Sequence, residues 1–286
     1  MKNMFSRIYN KSNHSPKKHK RFWENEPMYW VSLLIPSYNT NKEYLVDCIN
    51  SIKEQIGNVG LEIVWINDCS NEVNTKILVH LLNSILLPLK NCKLVYKRLE
   101  QHRGISFCLN YGVKLCSNEI IFRFDSDDIM KYNRIIKQLK FINSTPNCFM
   151  CGSNITLFKY ANKKYHVIND STHKHILTWD EYKTNPSDWI LNHPTLCFKK
   201  SYILNVGSYK DDFKYPFEDL DLELRVLKKY GVLYNLQESL VFYRVHEDQI
   251  SRNMSPDLEL LKNSLIQDMI SDKIILNEKT IDPVDL

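Results

Sequence analysis

Apolar runs of strand type alternate along the first half of the chain with stretches whose apolar residues lie three and four apart. Val31–Ile35, Glu62–Ile66, Lys93–Lys97 and Ile120–Phe124 are the strand-type runs. Between them, Tyr44, Leu45, Cys48, Ile49 and Ile52, then Val73, Ile77, Leu78, Leu81 and Ile85, fall on single helix faces. A third helix is predicted from Gly104 to Leu115, and Pro36 should stop the first strand. Strands and helices of these lengths in alternation predict an α/β fold with a doubly wound, largely parallel sheet flanked by helices.

The second half is less regular. Short strands are predicted around Phe149–Cys151 and Leu196–Phe198, with polar segments between them. A helix over Asp219–Tyr230 closes at Gly231, and Val232–Tyr234 and Leu240–Tyr243 read as two further strands. From Ser255 onward, Leu258, Leu261, Leu265 and Met269 mark a terminal helix.

The strand ends carry the candidate chemistry. Ile120–Phe124 runs directly into Asp125-Ser126-Asp127-Asp128. Acids there do not serve a core, because an unpaired buried carboxylate is costly. Ligands of open α/β sheets sit outside the carboxyl ends of the strands, where these acids fall. Asp125 and Asp127 can turn oxygens toward one hard divalent cation, while Asp128 reads as a helix start or a support beside it. Asn67-Asp68-Cys69-Ser70 ends the second strand; Asp68 can accept a hydrogen bond from a nucleobase imide or cap the next helix. Pro36-Ser37-Tyr38-Asn39 ends the first strand and offers stacking and backbone contacts, or a simple turn. Phe217-Glu218-Asp219-Leu220-Asp221 opens a helix. Acids there suit the helix dipole, and one placed across from a metal-diphosphate could deprotonate an acceptor hydroxyl.

Composition narrows the alternatives. Hydrophobic content of 43% and charged content of 25% are those of a soluble globular protein. No apolar run is long enough to span a bilayer and no secretory h-region is evident, so a cytoplasmic location is expected. With only 7 glycines, the chain has neither G-x-G-x-x-G nor G-x-x-x-x-G-K-[ST], so phosphates bound here need a metal to neutralise them. Cys148 and Cys151 form the one C-x-x-C, on an apolar stretch without a second pair to complete a zinc site; buried reduced thiols are expected. Lys2, Arg7, Lys11, Lys17, Lys18, Lys20 and Arg21 stand in a segment without acids, which leaves the remainder slightly acidic. A fold-wide nucleic-acid face is therefore not indicated. The basic arm is a solvated tail, or a contact for a membrane surface or an acidic partner. Phe22–Pro27 follows as a linker or docking segment.

Taken in order, these blocks resemble the family 2 glycosyltransferases of GT-A fold. Pro36-Ser37-Tyr38-Asn39, Asn67-Asp68-Cys69-Ser70, Gly104-Ile105-Ser106 with Asn110-Tyr111-Gly112, and Asp125-Ser126-Asp127-Asp128 match the amino-terminal half. His193-Pro194-Thr195, Val206-Gly207-Ser208-Tyr209, Glu218-Asp219 with Leu224-Arg225, and Tyr243-Arg244-Val245-His246 with Ile250-Ser251 match the later blocks. The resemblance implies inverting transfer of a sugar from a nucleotide-sugar, commonly a UDP-sugar, to a glycan, lipid-linked or protein acceptor. It implies a mixed, mostly parallel GT-A sheet over residues 31–252, with a donor half at 31–130 and an acceptor and catalytic half at 131–252. Residues 1–30 are then an arm and 253–286 a helical extension.

By the same resemblance Pro36, Tyr38 and Asp68 hold the nucleoside, and Asn39, Gly104, Asn110 and Ser126 belong to the nucleotide-sugar site. Asp125 and Asp127 meet the ribose and a Mn²⁺ or Mg²⁺ ion, which His246 can also reach. Asp219 is the base, with Glu218 beside it, and Arg244, Ser251 and Arg252 contact the diphosphate. One departure stands out: Leu109 occupies a position where many members carry arginine, and Arg103 is the candidate substitute. Acceptor recognition is expected within residues 150–215, with Trp179, Asp188, Trp189 and His193 as candidates. The runner-up readings are a catalytically silent nucleotide-sugar-binding or scaffold domain and a nucleotidyltransferase.

Overall fold

The computed structural model describes residues 29–55, 57–161, 164–187, 189–210, 217–247, 249 and 256–273. The basic arm at 1–21, the segment Phe22–Pro27, Asp188, Ser251 and Arg252 lie outside these described residues. Strands β1 (Tyr29–Ser37), β2 (Val59–Asn67), β3 (Cys92–Arg98) and β4 (Ile120–Arg123) are parallel neighbours. Helices α1 (Lys42–Lys53), α2 (Glu72–Leu81) and α3 (Ile105–Leu115) connect them, α2 running on through a wide turn at Leu82–Leu86. After β4 come β5 (Ile129–Met130), α4 (Arg134–Ser144), β6 (Met150–Ala161), β7 (Lys164–Ser171), β8 (Ile176–Thr178) and α5 (Trp179–Thr184). A short 3-10 turn at His193–Thr195 precedes β9 (Cys197–Lys199), α6 (Lys200–Asn205), α7 (Glu218–Tyr230), β10 (Val232–Arg244) and α8 (Pro256–Ile270).

The described strands form one mixed sheet, β3-β2-β1-β4-β9-β6-β10-β5, with β7 paired along β6 and β8 along β10. The β6–β10 pair is parallel, and β9 is antiparallel to both β4 and β6. Buried side chains of β1 and β2 alternate between two cores, one on each face of the sheet. Leu34, Val64 and Ile66 pack with residues of α3, α7 and α8. Leu33, Ile35, Ile63 and Trp65 pack with residues of α1, α2 and α4. Helix α3 lies close on β1 because Gly112 has no side chain; a Cβ there would stand 2.1 Å from Leu34 Cδ1. At the end of β2 away from its carboxyl terminus, buried Glu62 accepts from Ser32 Oγ at 2.5 Å, Ser117 N at 2.7 Å, Ser117 Oγ at 2.6 Å and Asn118 Nδ2 at 3.3 Å. These bonds tie the turn before β4 to the sheet.

Four details differ from the expected elements. Strand β1 continues through Pro36 to Ser37. Leu34 O accepts from Phe124 N, so the nitrogen of Pro36, two residues on, faces β4; its missing N–H ends the ladder with β4 there, while pairing with β2 continues through Ser37. Asp128 precedes the short strand β5 and not a helix. Residues 150–171 form a long hairpin, β6–β7, whose second strand is largely exposed. The two strands expected between 232 and 243 are the single strand β10, broken in register between Leu236 and Val241 where Gln237, Glu238 and Ser239 interrupt the apolar pattern. All eight cysteines are free thiols, most of them buried. No helix among the described residues is long and apolar enough to cross a membrane.

Candidate active site

Register brings the site together. Ser37 pairs with Asn67 and Asn67 with Arg98, so the loops after β1, β2 and β3 leave the sheet side by side. The first two are bonded to one another: Asp68 N donates to Ser37 O at 2.8 Å, Asn39 N to Ser70 Oγ at 2.9 Å and Asn71 N to Asn39 Oδ1 at 2.9 Å. Asn39 and Cys69 take left-handed backbone conformations to make these turns, at φ 48° and 59°. Thr40 Oγ1 and Ser126 Oγ, 2.7 Å apart, join the β1 loop to the acidic loop after β4. Asn39 and Ser126 thus serve the loops' own structure, and Pro36 is buried in the sheet.

Tyr38 presents its ring outward, 50% exposed. Beside it, Asp68 Oδ1 accepts from Arg103 N at 2.7 Å, and Asp68 Oδ2 from Gly104 N at 2.8 Å. His102 Nδ1 stands 2.8 Å from the same Oδ2, and the His102 ring stacks on Tyr38 with centroids 4.1 Å apart. The Arg103 guanidinium lies over Phe107, 4.0 Å from the ring. Leu109 is wholly buried in the core, so this chain uses that helix position for packing.

Asp125, Asp127 and Asp128 each offer an oxygen within 4.8 Å of the others. Asp125 Oδ2 accepts from buried Arg123 Nη1 at 2.5 Å, and Asp127 Oδ2 lies 2.9 Å from His246 Nε2. Asp128 Oδ1 accepts from Arg244 N at 2.8 Å, while its buried Oδ2 has no partner among the described residues. Burial first, then the charges of Asp127 and Asp125, push the Asp128 carboxyl well above the usual range. Burial likewise raises Asp125, against the opposing pull of Arg123. Three crowded carboxylates with an orphaned oxygen fit a hard divalent cation, which removes the repulsion that otherwise holds protons on them.

Arg244 does not face outward toward a diphosphate. It is 2% exposed. Its Nη2 donates to Asp47 Oδ2 and its Nε to the Asp127 carbonyl, both at 2.7 Å. The guanidinium lies over the rings of Tyr44 and Phe158. The side chain therefore clamps the acidic loop from behind.

The first turn of α7 carries Glu218 and Asp219. Burial and then the neighbouring Asp219 push Glu218 up to about 7, and Asp125 adds to the rise, which places this helix end within electrostatic reach of the acidic loop. Burial also raises Asp219, whose Oδ1 accepts from Leu220 N at 2.8 Å. Behind them, Asn110 is tied to Tyr209, donating Nδ2–H to its carbonyl at 2.5 Å and accepting from its N–H at 2.9 Å. Arg225 pairs with Asp221 and donates to Val206 O and Ser208 O, gripping the turn that carries Tyr209. His193 is buried against the Tyr209 hydroxyl at 3.1 Å, and burial holds it well below the ordinary imidazole value. Trp179 packs against the core between α5 and α7, and Trp189 is exposed beside Lys262. Sequence reasoning passed over His102, Asp47 and Arg123. An isolated polar residue has no periodicity to flag it, and the partners of His102 and Asp47 come from distant segments.

The family model "Glycosyl transferase family 2" matches residues 32–199. The amylovoran biosynthesis glycosyltransferase AmsE of Erwinia amylovora is 27% identical over 230 residues, covering 77% of this chain and 78% of that protein. The Escherichia coli UDP-Gal:alpha-D-GlcNAc-diphosphoundecaprenol beta-1,3-galactosyltransferase is 29% identical over 154 residues, 54% of each chain. Among solved structures, Staphylococcus aureus TarS 1–349 in complex with UDP-GlcNAc superposes with a TM-score of 0.62 at 16% identity, covering 87% of this chain and 67% of that one.

Proposed function

Given that the chain belongs to glycosyltransferase family 2 and has the GT-A fold, we propose that it moves a sugar from a UDP-sugar to an acceptor hydroxyl with inversion and with Mn²⁺ or Mg²⁺. The observation that carries the reading is the cluster of Asp125, Asp127 and Asp128 at the carboxyl end of β4, with Asp125 in electrostatic reach of Glu218 at the start of α7. A similar protein is named for a UDP-sugar donor and a diphosphoundecaprenol-linked acceptor, and a TarS structure holds UDP-GlcNAc. Both support a uridine donor here, and the first favours a lipid-linked saccharide as acceptor. Tyr38 and Asp68 are the base contacts in this reading. Asp127 and Asp125 hold the ion, with His246 able to turn its imidazole from Asp127 toward it. When bound, the ion supplies charge neutralisation to the departing diphosphate.

Asp219 takes the proton of the acceptor hydroxyl as that oxygen bonds to the anomeric carbon. The bond from that carbon to the β-phosphate oxygen breaks on the opposite face, and the diphosphate leaves with the electron pair. Glu218, held near Asp219, competes with it for a proton and raises its basicity. Residues 31–130 form the donor half and 131–252 the acceptor half. Exposed Trp189 and the segments between β7 and α7 are the acceptor-facing candidates. Residues 1–21, with seven cations and no acid, have the charge pattern that anionic lipid attracts.

The test is turnover on a panel of nucleotide-sugars. A UDP-sugar should be consumed, chelator should stop transfer, and Asp219→Asn should abolish it while leaving UDP affinity intact. Undiminished turnover by Asp219→Asn removes that residue from the base role, and turnover indifferent to chelator removes the metal.

A further inference from the structure

We propose that His102 occupies the nucleobase's place on Tyr38 and Asp68, and that the donor binds by displacing it. The proposal rests on the reading of Tyr38 and Asp68 as the base contacts. A uracil held there needs a planar ring stacked on Tyr38 and an N–H directed at the Asp68 carboxylate. His102 supplies both with one side chain: its ring is 4.1 Å from Tyr38, tilted by 30°, and its Nδ1 is 2.8 Å from Asp68 Oδ2.

Three features make the imidazole a competitor and not a third wall of the slot. The two rings are already in contact, which leaves no space for a base between them. A carboxylate oxygen accepts about two hydrogen bonds, and Oδ2 already takes Gly104 N and His102, so an incoming imide finds that oxygen filled. The backbone donors Arg103 N and Gly104 N are fixed by the turn into α3, where Gly104 adopts φ 84°. Only the histidine can yield. It is 55% exposed while Asp68 is 5% exposed, so swinging it into solvent disturbs no core and uncovers the carboxylate for the base. Donor affinity is then set by the difference between two ligands of one acid, the internal imidazole and the uracil imide.

The experiment is calorimetric titration of the full chain with UDP in the presence of Mn²⁺. His102→Ala should bind UDP about tenfold more tightly than wild type, the order expected for losing a competing hydrogen bond to a charged group. His102→Phe, which keeps the stack and loses the N–H, should gain less. A second readout needs no variant in the bound state: with histidine labelled at Cε1, the His102 resonance should shift as UDP saturates the wild-type protein, because the ring leaves Tyr38. Equal or weaker UDP binding by His102→Ala, or a His102 resonance unmoved at saturation, overturns the proposal. Failure of both proteins to bind UDP at millimolar concentration removes the donor reading itself, and this proposal with it. Binding by His102→Ala alone supports it.

Discussion

Arg244 is surrounded by groups that already use its charge: Asp47, the Asp127 carbonyl and the faces of Tyr44 and Phe158. Replacing it by methionine leaves Asp47 buried without its cation, a change that typically costs about 3–5 kcal/mol. Arg244→Met should therefore lower the urea midpoint. It should also weaken Mn²⁺ binding, read by electron paramagnetic resonance, because the acidic loop loses its rear clamp. Asp219 and Glu218 give a second expectation at this scale. Both carboxyls are raised by burial, Glu218 to about 7. A raised acid keeps its proton to higher pH, so the base form accumulates only as pH climbs through the raised value. The acid limb of kcat/KM should lie above the range of a solvated aspartate, and a limb near pH 4 would show that the titrating group lies elsewhere. Asp68, Asp125, Asp127 and Asp219 were legible in the chain because each follows a strand or opens a helix where the pattern breaks. Asp47 was not, since it is a lone acid on the buried side of α1 and its partners, Arg244 and Tyr165, lie far along the chain.

The parallel strands β1 and β2 were legible as elements because burial on both faces leaves them almost wholly apolar, and edge strand β3 by Leu94, Val95 and Tyr96 between two lysines. Strand β7 was not. Its residues Lys164–Ser171 are mostly exposed, and no sustained apolar alternation marks a strand whose ladder runs along β6. Strand β10 was read as two because its register breaks put three polar residues mid-strand. Glu62 shows the reverse case, a charged residue that strengthens a strand. Glu62→Ala leaves the buried Ser32 hydroxyl without its acceptor and releases Ser117 at the turn before β4. The expected cost is about 2–4 kcal/mol in a denaturant titration. UDP affinity should be unchanged, since Glu62 lies near the end of β2 opposite the base contacts.

For the molecule as a whole, a donor and ion that bind only the folded chain must stabilise it by mass action. UDP with Mn²⁺ at a hundredfold excess over Kd should add about 2.7 kcal/mol to unfolding, visible as a rise of several degrees in Tm. The double variant Asp125→Asn with Asp127→Asn should lose the Mn²⁺-dependent part of that rise.

The two ends of the site are joined by α3 and its fastenings. Gly104 N, at the start of α3, holds Asp68, and Asn110, on the same helix, holds Tyr209. Arg225 grips the turn before Tyr209 and pairs with Asp221, two residues beyond Asp219. The Asn110 fastening depends on a side chain pointing in one direction from a helix that turns about 100° per residue. The interval from Gly104 to Asn110 is thus a measured length. A substitution within it changes one contact, whereas one inserted residue rotates Asn110 away from Tyr209 and loosens the support beneath the α7 carboxylates. Relatives that diverge freely in composition over this helix should hold its residue count constant.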